Sequence, residues 1–163
     1  MKADDTPSDP DLVRLRHLLA TASAEECNLL ATRDRLFHSA AADEVAKAAG
    51  LDSVIAERVE AFVARFSRFQ DMLGDKVLPL LLRMGGEEAQ PVVANLDRAE
   101  RYGWLDSADA WLRVRKLRNR MVHEYVDQTS GLAAALGDIH AAVPSLCQFY
   151  AHLKAFAEKR FLC

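Results

Sequence analysis

Apolar residues recur at three- and four-residue spacing along nearly the whole chain, and that spacing predicts helices. The strongest run starts at Ser53 and carries Val54, Ile55, Val59, Phe62, Val63, Phe66, Phe69, Met72, Leu73 and Val77. Pro79 predicts a kink in it near Asp75, whose carbonyl loses its partner amide. Gly85-Gly86 predicts its end. Upstream, Pro10 suits the first turn of a helix bearing Leu12, Val13, Leu15, Leu18 and Leu19. Ser23-Ala24-Glu25-Glu26 matches a capping box and predicts a helix starting or restarting there and reaching about Phe37. Residues 38–51 are Ala-rich and closed by Gly50, which predicts a short helix or turn. Downstream, Pro91 opens a helix through Val92, Leu96, Ala99 and Tyr102, stopped at Gly103. Asp106 or Ser107 is placed to cap the next helix, which runs to about Tyr125. After a polar turn at Val126 to Ser130, the last helix has apolar or small residues at 132, 136, 139, 143, 146, 150, 153 and 157. Pro144 predicts a bend in it.

No candidate strand, internal repeat or low-complexity segment interrupts this pattern. The expected fold class is all-α: a bundle of four to five principal helices running up and down. Residues 1–8, acidic and Pro-containing, are expected to be a frayed leader, with residues 9–163 forming one domain. At 163 residues, half of them apolar and 28 % charged, the chain is long enough for one real hydrophobic core. The formal net charge of −3 excludes a polycation, so any nucleic-acid site must be a local basic patch. Three cysteines, Cys27, Cys147 and Cys163, are odd in number, widely spaced and without zinc-type pairing, which reads as a reduced, cytoplasmic protein. No apolar run approaches the roughly 18 residues of a membrane span.

One stretch changes the picture: Arg115-Lys116-Leu117-Arg118-Asn119-Arg120-Met121-Val122-His123-Glu124-Tyr125. On an ideal helix, Trp111, Val114, Arg118, Met121, Val122 and Tyr125 share one stripe. Arg118 is the single charge in it, and an unpaired buried guanidinium costs several kcal/mol or more. It must be paired, hydrated or used. Asn119 and His123 stand four residues apart on the adjoining flank, so their side chains can meet. The bare spacing Arg-x4-His carries little, since Arg33 and His38 also satisfy it. Asn directly after the Arg and Tyr two beyond the His select the copy at 118–125 alone. His38 reads as a surface or helix-end histidine.

At these residues the chain resembles the HEPN superfamily, in particular its HepT-like branch, which carries an Arg-x4-His-x-Tyr motif. Here the motif is Arg118, His123 and Tyr125, with the polar Asn119 after the Arg, closing one helix just before a final long one. The resemblance covers about residues 53–160. It implies a homodimer whose motif helices meet around a shared, metal-independent endoribonuclease site, requiring no cofactor. In that reading His123 moves protons, Arg118 holds the scissile phosphate, Asn119 orients the imidazole or phosphate, and the RNA's own 2′-hydroxyl is the nucleophile. The branch also implies a nucleotidyltransferase antitoxin that attaches AMP to Tyr125. Of the basic run, Arg115 and Arg118 face the seam and are the expected phosphate contacts, whereas Arg113, Lys116 and Arg120 face the polar side.

Other readings stay open at this stage. Arg118 could be the buried partner of an acid on the preceding helix, Asp97 or Glu100. His123 could simply favour a helix C-terminus, and Tyr125 could be a core aromatic. The chain could be a non-catalytic HEPN subunit of a transferase, or a helical dimer without a site. His123-Glu124-Tyr125-Val126-Asp127 imitates a zinc HExxH motif but lacks the second His and any third ligand, so no metal is expected.

Overall fold

The Phe-rich stripe becomes the central rod of the fold. In the computed structural model, which describes residues 9–38, 40–123 and 129–163, α3 spans Ser53–Asp71 and passes through a π-helical turn, Met72–Val77, into α4, Leu78–Met84. Around this rod lie α1 (Pro10–Phe37), α2 (Ala42–Leu51), α5 (Val92–Arg101), α6 (Ala108–His123) and α7 (Thr129–Phe161). Every regular element among the described residues is helical. With the central rod counted as one, the described residues form six helices, more than the four or five principal ones expected; the stretch read as a short helix or turn at residues 38–51 is a helix of its own, α2.

The central rod packs on α1, α6 and α7, while α2 lies across α7 and the rod. Phe62, Phe66 and Phe69 from α3 and Phe149 from α7 are fully buried in the middle. Each such side chain contributes roughly 1.5–3 kcal/mol by leaving water. The seven-residue rhythm expected in α7 holds: Leu136, Ile139, Val143, Leu146, Tyr150, Leu153 and Ala157 are all buried. The Tyr150 hydroxyl donates to the Leu19 carbonyl at 2.9 Å, tying α7 to α1 without an orphaned polar group. Helix α7 passes through Pro144 as one element, with the proline on its exposed side.

One sequence expectation is corrected here and a second takes a definite form. Helix α1 does not restart at Ser23. Its buried stripe of Leu15, Leu18, Leu19, Ala22, Leu29, Thr32 and Leu36 continues straight past that point, and Ser23 is exposed mid-helix. With no Gly or Pro between Asp11 and Phe37, packing outweighs a local capping preference. The disturbance ahead of Pro79 is a wide turn: the amide of Leu78 bonds the carbonyl of Leu73, five residues back. Gly86 and Gly103, at φ +88° and +74°, close α4 and α5 as expected. The turn anticipated at Val126 to Ser130 falls largely outside the described residues, and α7 is already helical from Thr129.

Gly74 sits in the wide turn directly beneath Trp111 of α6. A Cβ there would come within 3.0 Å of the indole Cζ2, and the indole is itself held edge-on by Phe149. Gly74→Ala is therefore expected to lower the urea unfolding free energy by about 1–2 kcal/mol despite alanine's helix preference. Gly50→Ala, where nothing lies within 4 Å, should raise it by up to about 1 kcal/mol.

His140 of α7 stacks on Phe37 at the end of α1, with ring centroids 3.9 Å apart and planes 12° from parallel. Burial, and secondarily the Arg33 charge, hold its pKa below the usual 6.5. The folded protein thus prefers the neutral ring, a contribution complete above pH 6.5 and lost as pH falls through the lowered folded value. The denaturation midpoint should drop between about pH 7 and pH 5.5, and drop less in His140→Phe.

Candidate functional site

Helix α6 begins on two caps. The Ser107 hydroxyl accepts from the Ala110 amide at 3.1 Å, and the Glu100 carboxylate accepts from the Ala108 amide at 3.0 Å. Of the two residues expected to cap α6, Ser107 does so. Glu100, one of the acids considered for Arg118, is occupied at this cap, and Asp97 is exposed on α5.

Arg118 is buried, with 6 % of its surface exposed, but it faces the body of its own chain. Its Nε donates to Gln70 Oε1 at 3.1 Å and its Nη1 to Asn119 Oδ1 at 2.7 Å. Its Nη2 donates to Asp71 Oδ1. The acid that answers the misplaced arginine therefore lies on α3, not on the preceding helix. The second end of the Gln70 amide donates to the Trp111 carbonyl at 3.2 Å, so both ends of that side chain are committed to α6. One turn earlier, Arg115 meets Asp75 through two parallel bonds of 3.1 and 3.0 Å, and its Nη2 lies 3.6 Å from Asp71. Two arginines of α6 and two aspartates of the central rod thus form one ladder, deepest at Arg118.

The three residues read as catalytic are treated unequally by this geometry. Arg118 and Asn119 are brought together, in direct contact on the last turns of α6. His123 is the final residue of that helix and is described by its backbone. Tyr125 lies outside the described residues. Of the apolar stripe, Trp111 is buried and Val114 and Met121 are half-buried, but Val122 is 56 % exposed and does not belong to the seam. Arg115, expected to be available to phosphate, is held by Asp75. Arg113, Lys116 and Arg120, set aside as the polar side, are exposed, and no ion pair to another described residue engages them.

Gln70, Asp71 and Asp75 were not singled out from sequence, although a signal was present. Val63, Phe66, Gln70, Leu73 and Val77 form a three-four stripe with one polar member, as Arg118 is the one charge in the stripe of α6. Two helices that each carry one polar residue in an apolar seam are candidates to pair there.

Among the described residues, no group of three His, Cys, Asp or Glu is placed to hold a metal ion. Cys147, half-buried near Glu26, has its thiol pushed up to about 12 by burial, which keeps it protonated and unreactive at neutral pH. No described helix is long and apolar enough to cross a membrane. Compared with known proteins, the chain matches no family model, no curated protein and no solved structure.

The ladder's two rungs should differ in worth. Removing one partner of a fully buried pair costs roughly 3–5 kcal/mol, but the Asp71 side chain is 42 % exposed and water screens it. A double-mutant cycle on Arg118→Ala and Asp71→Ala is expected to give a coupling of about 2 kcal/mol. The more exposed Arg115–Asp75 pair should give about 0.5–1 kcal/mol. Equal couplings would contradict the burial argument.

Proposed function

We propose that the chain is a HEPN-type, HepT-like endoribonuclease that works without metal as a homodimer and is restrained by a nucleotidyltransferase antitoxin. The observation that carries the reading is the side-chain bond between Arg118 and Asn119, which presents two members of the motif as a unit on the last turns of α6. Gln70 and Asp71 fix the guanidinium from behind. A guanidinium carries further N–H donors beyond the three used here, and these can meet a phosphate oxygen.

In this mechanism His123, whose ordinary pKa suits proton exchange at neutral pH, withdraws the proton of an RNA 2′-hydroxyl. The 2′-oxygen forms a bond to the adjacent phosphorus and the bond from phosphorus to the 5′-oxygen breaks. A proton delivered to that oxygen completes the departure. A second His123 from the dimer partner is suited to supply it, which gives the two-fold arrangement a chemical purpose. Arg118 offsets the negative charge that grows on the phosphate oxygens. AMP attached to Tyr125 would add a negatively charged phosphate to the motif and repel the RNA backbone.

One observation favours a second reading, a HEPN-type subunit that binds a transferase without cleaving RNA. The Arg118 guanidinium is buried against Gln70, Asp71 and Asn119, as a purely structural ion pair would be.

Expression of wild type beside His123→Ala separates the two. The nuclease reading expects slowed growth and fragmented RNA with wild type only, by a factor of about 10² or more in cleavage rate. Equal growth and equally intact RNA would sink it. Co-expressed with its transferase, wild type should gain the mass of one AMP, and Tyr125→Phe should not.

A further inference from the structure

We infer that the trough between α6 and α7 is a docking site for an acidic amphipathic helix of another protein. This stands on the trough alone and does not rest on the nuclease reading. Two openings meet there. One is a recess of about 250 Å³ with Phe66, Leu105, Trp111 and Leu146 in its lining. The other is a wider groove of about 860 Å³. Ala110, Val114 and Ala141 line both, so the two are one continuous trough. Small side chains make it: Ala110 on α6 faces Ala141 on α7, and neither fills the seam between the helices.

Charge identifies the occupant. Arg113, Lys116 and Arg120 stand on one wall of the groove, spaced at i, i+3 and i+7, so that they form a row along a single face of α6. Asp138 is the one acidic residue in the groove lining. Along α6 the trough runs from Ala110 to Arg120, about 15 Å of helix or nearly three turns. An apolar floor with cations along one edge complements a helix that has an apolar stripe and carboxylates on its flank. The recess adds room for a large apolar anchor from such a helix.

Two other occupants fit less well. A nucleic acid would be drawn to the cations but would gain nothing from the apolar half, because Trp111 is only 6 % exposed and offers no face for a base to stack on. A second copy of this chain, packed two-fold on the trough, would set one row of three cations against another with only Asp106 and Asp138 from each copy to offset them. Asn119 also lines the groove, so a seated helix would cover that flank of α6.

The test uses the full chain and a panel of lactam-stapled peptides of about 16 residues, with Leu, Phe or Trp on one stripe and Glu elsewhere. Fluorescence anisotropy is read at low and moderate salt, against peptides of the same composition with the stripe scrambled, peptides with Lys for Glu, and an oligouridylate of similar length. At least one striped acidic peptide should bind saturably, one to one, and about tenfold or more tighter than its scrambled form. In the triple variant Arg113→Glu, Lys116→Glu, Arg120→Glu, with unchanged circular dichroism, that peptide should lose about tenfold or more while the Lys peptide gains binding. This charge swap would not follow from a folding defect. The proposal is overturned if no striped acidic peptide saturates, or if scrambled and striped forms bind alike. It is equally overturned if oligouridylate occupies the groove as tightly as any peptide, or if sedimentation shows a wild-type dimer that the triple variant abolishes.

Discussion

A guanidinium cannot be left alone in an apolar interior, and much of this fold is arranged around that constraint. Arg118 enters the seam between α6 and the central rod at its most buried point. Three acceptors answer it, one for each nitrogen of the guanidinium: the amide oxygen of Gln70, the carboxylate of Asp71 and the amide oxygen of Asn119. Gln70 then returns a bond to the backbone of α6 through Trp111. The result is directional. Hydrophobic contacts alone would let two helices slide by a fraction of a turn, but a fork held by acceptors on two elements fixes the register of α6 on α3.

The rest of the seam follows from that register. Trp111, two turns before Arg118, lands on the wide turn of the central rod, where only a glycine leaves room for its ring. Asp75, in the same wide turn, falls opposite Arg115. Phe149 of α7 meets the indole edge-on with ring centroids 5.2 Å apart, extending the seam into the third helix. A charged residue, a glycine and an aromatic cluster are thus parts of one packing solution.

Most of the helices were legible because their apolar positions repeat at three and four, and Gly86 and Gly103 close helices where the chain must turn through positive φ. The capping pattern at Ser23 misled because such a pattern describes what a helix start needs, not whether neighbouring packing requires a start there. Arg118 stood out as misplaced, yet its partner could not be read from α6, since the answer came from a residue 47 positions earlier. Periodicity assigns a residue to a face but does not say which helix covers that face. Arg115 shows the same limit: it points to the seam as expected, and there it meets an aspartate. Its exposed neighbours Arg113, Lys116 and Arg120 line the groove, where their shared sign becomes informative only once α7 is seen beside them.

The wide turn at Met72–Val77 also bears on how this chain can change in length. A π-helical turn holds one residue more than the α-helix it interrupts. Deleting a single residue there would restore ordinary helix, the kind of indel that sequence comparison treats as minor. In three dimensions the helix on either side would keep its facing, because the wide turn spends one more residue on about the same rotation. Gln70 and Asp71 would still face Arg118 and Leu80 and Leu81 the core, whereas Gly74 beneath Trp111 and Asp75 opposite Arg115 lie in the turn that would be rebuilt. For this protein that segment is therefore where the central rod can lose a codon with its two ends still facing their partners, the change falling on the contacts to Trp111 and Arg115.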